Sequence, residues 1–137
     1  MRVILDTNVL LSGQITRTGI PARLTDAWLE GRFILISHAI QLAELRDVSR
    51  REKLRPLVRA AQFGKLVNRI VKVAEMHAKL PPVQRSPDPR DDFLLGLCEV
   101  GKADWLVTGD KHDLLALGRH GSTRIVSAVT FARELRL

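Results

Sequence analysis

The chain contains one cysteine, Cys98, so neither a disulfide framework nor a multi-cysteine metal centre can form within it. Cys98 lies in an apolar, helix-like segment and is expected to be a small buried hydrophobe. No apolar run approaches the ~20 residues that a membrane-spanning helix needs. Met1 leads into a strand-like segment rather than a secretory signal, so the expected location is cytoplasmic, without a membrane partner. The four histidines, His38, His77, His112 and His120, are scattered and suggest no metal site. The glycines match neither G-x-G-x-x-G nor a Walker phosphate loop. A nucleophile elbow for Ser-His-Asp hydrolysis is missing, as are internal repeats, low-complexity tracts and linkers. These absences exclude a secreted disulfide scaffold, a membrane protein, a P-loop enzyme and a serine hydrolase.

What remains is a basic, globular chain of 137 residues, 45% hydrophobic, expected to form one domain over 1–137. Lys and Arg number 22 against 15 Asp and Glu, a net charge of +7. That balance favours an anionic partner, nucleic acid or an acidic protein. Arginine dominates the excess, and its planar fork suits phosphate.

The order of apolar runs predicts alternating strands and helices. Residues 2–5 read as a first strand, followed by a turn at Thr18–Pro21 and a helix closed by Gly31. Phe33–Ile36 reads as a second strand, with Ser37 as N-cap of the next helix. Residues 54–80 read as an inserted helical hairpin whose arms part at Gly64, with His77 on the apolar face of the second arm. A loop at Ser86–Arg90 leads to a helix ending at Gly101. A third strand is expected at 104–108, a short helix at 111–117, a fourth strand at Ile125–Val126 and a last helix at 128–136. The alternation predicts an α/β domain of three layers, a central parallel sheet flanked by helices.

Two of the apolar runs end abruptly in aspartate. Val3-Ile4-Leu5 is followed by Asp6, and Trp105-Leu106-Val107 by Thr108-Gly109-Asp110. Continuous apolarity marks buried parallel strands, and ligands of parallel sheets sit beyond the carboxyl ends of the strands. Glu44, in the helix after the second strand, and Asp92, which opens the helix at Asp92-Phe93-Leu94-Leu95, should lie near the same edge. Taken singly, each has a plain structural role: Asp6 and Asp110 as turn residues, Glu44 as a solvated helix residue, Asp92 as a helix-dipole partner. Together they make an all-oxygen set, which selects Mg²⁺ or Mn²⁺ over zinc. Asp91 and Asp113 are weaker candidates. Asp88 reads as a loop residue, and Asp104 falls at the opposite end of its strand.

Leu5-Asp6-Thr7-Asn8-Val9-Leu10 resembles the opening motif of PIN-domain ribonucleases. Asp92-Phe93-Leu94-Leu95-Gly96-Leu97 resembles their central motif, and Ala103 to Asp110 their third. Glu44, after Leu42-Ala43, is similar to the family's acidic residue on the helix following the second strand. The resemblance runs from Met1 to the C-terminus. It implies a PIN-like fold and Mg²⁺- or Mn²⁺-dependent cleavage of single-stranded RNA, with the metal held by Asp6, Glu44, Asp92 and Asp110. In this reading Asn8 and Thr108 hold the carboxylates in place, and Arg85 or Arg90 carries the RNA backbone. The resemblance further implies a VapC-like toxin of a type II toxin–antitoxin pair, a homodimer inhibited by a small antitoxin. Family members vary in the acidic residue that follows, which leaves the role of Asp113 open.

Two rival readings bear on the same residues. Phosphoryl transfer by a metal-bound aspartate, as in dehalogenase-like folds, needs a second Asp two residues after the first, where this chain has Asn8. A non-catalytic RNA-binding or scaffold protein would not need four carboxylates at one edge.

Overall fold

The computed structural model describes residues 1–109 and 113–137. The apolar runs pair as a sheet because each is buried on both faces. β1 (Arg2–Leu5) lies at the centre, between β2 (Ile34–His38) and β4 (Trp105–Val107), both parallel to it. β3 (Glu75–His77) adds beyond β2, and β6 (Thr123–Val126) beyond β4. β5 (Arg119–His120) closes that side as an antiparallel edge, giving the order β3-β2-β1-β4-β6-β5.

Side chains along each strand alternate between two cores. Val3, Leu5, Leu35 and Val107 face one layer, built from α1 (Thr7–Ile15), α2 (Ile20–Leu29), α3 (Ala39–Ser49), α4 (Ala60–Val73) and α7 (Ala128–Glu134). Ile4, Ile36, Leu106 and Ile125 face the other, built from α5 (Asp92–Val100) and α6 (Leu114–Leu117). This two-sided burial explains why the strands read as unbroken apolar runs, and it is the three-layer architecture expected. On the first face Phe131 meets Phe33 edge-on at 5.5 Å between ring centroids and Trp105 at 5.8 Å.

Local chemistry sets the element ends. Pro21 sits in the first turn of α2, where a missing N–H costs nothing. Gly31 follows that helix at φ +80°, the left-handed conformation that stops a helix. Ser37 does not cap α3. β2 runs two residues further, to His38, and the ring Nδ1 of His38 accepts from the Ile40 N–H at 3.0 Å. Ser37 is buried instead, and its hydroxyl donates to Gln41 Oε1 at 2.6 Å. Gln41 in turn donates to the Leu5 carbonyl at 2.7 Å, tying α3 to the end of β1.

The segment 54–80 holds one helix rather than two arms. Residues 54–58 form turns, α4 passes unbroken through Gly64, and His77 lies on β3. A glycine inside a helix costs only about 1 kcal/mol relative to alanine. The packing of Leu66, Val67 and Ile70 against the first core outweighs it. β3 escaped the sequence reading because its three residues are all half-buried and show no alternation.

Candidate active site

β1 and β4 deliver their last residues side by side at the carboxyl edge of the sheet. The Asp6 N–H donates to the Val107 carbonyl at 2.8 Å, continuing the ladder by one residue. The Asp6 carbonyl then accepts from the N–H groups of Val9 and Leu10 at 2.9 and 3.1 Å, which starts α1. Strand end and helix start thus fix the Asp6 backbone from both sides. Asp6 is 7% exposed, and its Oδ2 accepts the Thr108 hydroxyl at 2.7 Å. Thr108 is itself fully buried, with its N–H on the Val126 carbonyl at 3.0 Å. Thr108 is thus a buried, backbone-anchored donor to the Asp6 carboxylate.

Asp6 opens onto a cleft of about 580 Å³ that is also lined by Asn8, Glu44 and Asp91, with Arg51 and Arg90 among its walls. Glu44 reaches it from α3, whose Leu42 and Leu45 are buried in the first core, while the largely buried Val48 lines the cleft one turn after Glu44. Asp91 reaches it from a 3-10 turn, Pro89–Asp91, that precedes α5. One carboxylate oxygen from each of Asp88, Asp91 and Asp113 lies within 4.8 Å of the others. Like charges so close repel strongly in a partly desolvated cleft. Arg90 relieves some of this. It binds both oxygens of Asp88 and holds that carboxyl below the usual carboxylate range. Arg51 pairs with Asp47 at 3.7 Å on the same wall.

The sequence-derived site residues divide as follows. Asp6, Glu44 and Asn8 meet in the cleft. Asp92 is not among the residues lining it. Its Oδ1 accepts from the N–H groups of Arg85 and Ser86 at 3.1 and 2.7 Å, so it organises the loop before α5, and its neighbour Asp91 takes the cleft position. Asp113 belongs to the acidic cluster. Asp110 lies outside the described residues, as do Lys111 and His112. Of the two arginines suggested for the RNA backbone, Arg90 lines the cleft. Arg85 turns away, donating to the Arg119 carbonyl at 2.7 Å. Asp104 is at the far edge, where its Oδ2 accepts the Arg2 N–H at 2.8 Å. The sequence reading took Asp88 for a loop residue and gave Arg51 no role at the site. The Asp-Pro-Arg-Asp run at 88–91 was the available signal, since a proline after aspartate favours a tight turn that brings two carboxylates together.

Hard, oxygen-only donors at this spacing fit a divalent cation of the Mg²⁺ or Mn²⁺ type. No helix among the described residues is long and apolar enough to cross a membrane. In comparisons with known proteins, no curated protein matches the chain. The fold is similar to that of a chain in the crystal structure of VapBC2 from Rickettsia felis bound to a DNA fragment from their promoter. The TM-score is 0.56 and the identity 16%, over 93% of this chain and 98% of that one. A sequence model of the PIN domain matches residues 2–112, from the first strand through the acidic edge. With the two aspartate-terminated strands inside that match, the chain belongs to the PIN-domain family of nucleases.

Proposed function

We propose that the protein is a divalent-metal-dependent endoribonuclease that cleaves single-stranded RNA. The observation that carries this reading is the meeting of Asp6, Glu44 and Asp91 in one cleft of a chain whose net charge is +7. Asp6, Glu44 and Asp91 would hold the metal, with Asp113 beside them. Asp110, next after Gly109, takes the same role on the sequence resemblance. When bound, such a metal supplies an acidified water and neutralises charge on the phosphate.

The protein's own groups do the positioning. The Thr108 hydroxyl fixes Oδ2 of Asp6. Gln41 fixes the Leu5 carbonyl immediately behind it. Asn8, exposed on the cleft wall, is placed to orient a carboxylate. Arg51 and Arg90 offer planar forks to the phosphodiester on either side of the scissile bond.

The partner reading extends this. The VapBC2 complex that shares the fold supports a toxin acting with an antitoxin. Exposed Leu57, Val71 and Val73 support a homodimer interface within 54–80. The chain is read as one nuclease domain over 1–137, working in the cytoplasm.

The test is cleavage of a labelled single-stranded RNA with Mn²⁺. Asp6→Asn keeps shape and removes charge, and it should lower the rate by roughly a hundredfold or more, the scale of several kcal/mol at the transition state. Asp104→Asn, at the opposite edge, should cleave like wild type. Undiminished cleavage in EDTA, or by Asp6→Asn, would refute the reading.

A further inference from the structure

The positive charge of this chain is not spread over it. Residues 46–72 hold nine Lys and Arg against two Asp and Glu, a net of +7, which equals that of the whole chain. The other 110 residues balance, with 13 of each sign. All nine basic side chains are exposed, from Arg46 on α3 to Lys72 on α4. Their one ion pair among the described residues is Arg51 with Asp47. So concentrated a field has not been neutralised within the fold, and it begins at the wall of the acidic cleft.

A second hollow lies inside this segment. It measures about 300 Å³ and is lined by Arg50, Arg55, Val58 and Phe63, among others. It and the acidic cleft flank the C-terminal turn of α3: Asp47, Val48 and Arg51 face the cleft, while Ser49 and Arg50 face the hollow. Two guanidinium groups beside an aromatic ring and a buried valine are a combination suited to single-stranded nucleic acid. Cations track the phosphates, and a base stacks on the ring whatever its identity. The size suits one nucleotide, at the lower end of small-ligand pockets, roughly 300–1,000 Å³.

We propose that the α3–α4 hollow is a nucleotide subsite, which grips the RNA strand beside the cleft with Arg50 and Arg55 on phosphate and Phe63 under a base. This rests on the ribonuclease reading for its substrate, while binding can be tested apart from cleavage. An acidic protein is the other partner that such charge could take. The continuity with the cleft and the ring in the hollow favour RNA.

The experiment is fluorescence anisotropy of an end-labelled single-stranded RNA, titrated across salt concentrations, with cleavage of the same RNA and of a dinucleotide in parallel. Arg50→Gln/Arg55→Gln alters only exposed side chains. It should weaken binding at least tenfold and make the salt slope shallower by about 1.4, at roughly 0.7 per lost single-strand phosphate contact. It should raise KM for the long RNA and leave dinucleotide cleavage unchanged. Phe63→Leu keeps apolar bulk, and it should weaken binding about 5- to 100-fold with an unaltered salt slope, the signature of lost stacking. Equal RNA binding by wild type and both variants would overturn the subsite. So would loss of binding to immobilised poly-glutamate in the arginine variant while RNA binding stays intact, which would assign the surface to an acidic protein. If wild type binds RNA and cleaves none, the ribonuclease reading fails and the anisotropy still decides the subsite.

Discussion

Asp91 and Asp92 are adjacent and chemically identical, yet they sit in different surroundings, and on the nuclease reading they have different tasks. A 3-10 turn rotates Asp91 towards Glu44 and Asp6, while Asp92 receives two backbone N–H groups from the loop behind it. The consequence is a separation of activity from stability. Asp91→Asn should cut RNA cleavage severely while leaving the melting temperature close to that of wild type. Asp92→Ala should lower stability by about 1–2 kcal/mol, the usual effect of removing a side chain that satisfies backbone donors, and a denaturant titration would read it. If Asp92→Ala were the inactive variant and fully stable, the roles would be reversed. Sequence spacing could not make this distinction, because a shift of one residue at a helix start depends on the turn that feeds it. Asp6, Glu44 and Thr108 were legible because strand ends and helix stripes carry strong patterns. Cys98 was legible for the same reason. Burial in the second core pushes its thiol up to about 12, so it should stay unmodified by thiol reagents at neutral pH until the protein unfolds.

At the scale of elements, α4 and β3 are where tertiary packing overrode local signals. Gly64 looked like a break between helices, yet a Cβ built there meets nothing within 4 Å. Gly64→Ala should therefore stabilise the protein by about 0.5–1 kcal/mol, seen as a higher denaturant midpoint. A loss of stability would mean that the chain needs glycine's freedom at that point. β3 pairs with β2 along its three residues, and Arg2 of β1 reaches across to its Glu75. The same carboxylate accepts from the His77 ring, 2.6 Å away. Arg2, then His77, holds the Glu75 carboxyl below its usual value. A depressed carboxylate stabilises the fold above its unfolded pKa, and the contribution fades as pH falls through the lower folded value. The melting temperature of wild type should thus exceed that of Glu75→Gln at neutral pH, and the gap should close in acid below about pH 4, where a free glutamate titrates. A constant gap across that range would remove Glu75 from the account.

For the molecule as a whole, the crowding of acids at one sheet edge and of bases in one segment makes opposite demands on ions. Millimolar Mn²⁺ should raise the melting temperature of wild type by mass action, adding about 2.7 kcal/mol of stability at a hundred times the dissociation constant. It should do so less for Asp91→Asn. Monovalent salt should weaken RNA binding. The proposed homodimer, if it forms through Leu57, Val71 and Val73, brings two copies of the +7 segment together. Its association, measured by light scattering, should therefore strengthen with salt. A dimer weakened by salt would place the interface elsewhere.

The hydrogen bond from Thr108 to Asp6 joins residues 102 positions apart, and β4, which aligns them, pairs with β1 across a similar span. A ribosome lays down Asp6 102 residues before Thr108. For most of its synthesis the growing chain has β2 to pair with β1 but no β4, no threonine to hold Asp6 and no Asp91 across a cleft. On the ribonuclease reading, a chain released before β4 is made should cleave no RNA, so an unfinished copy would be no threat to the cell making it.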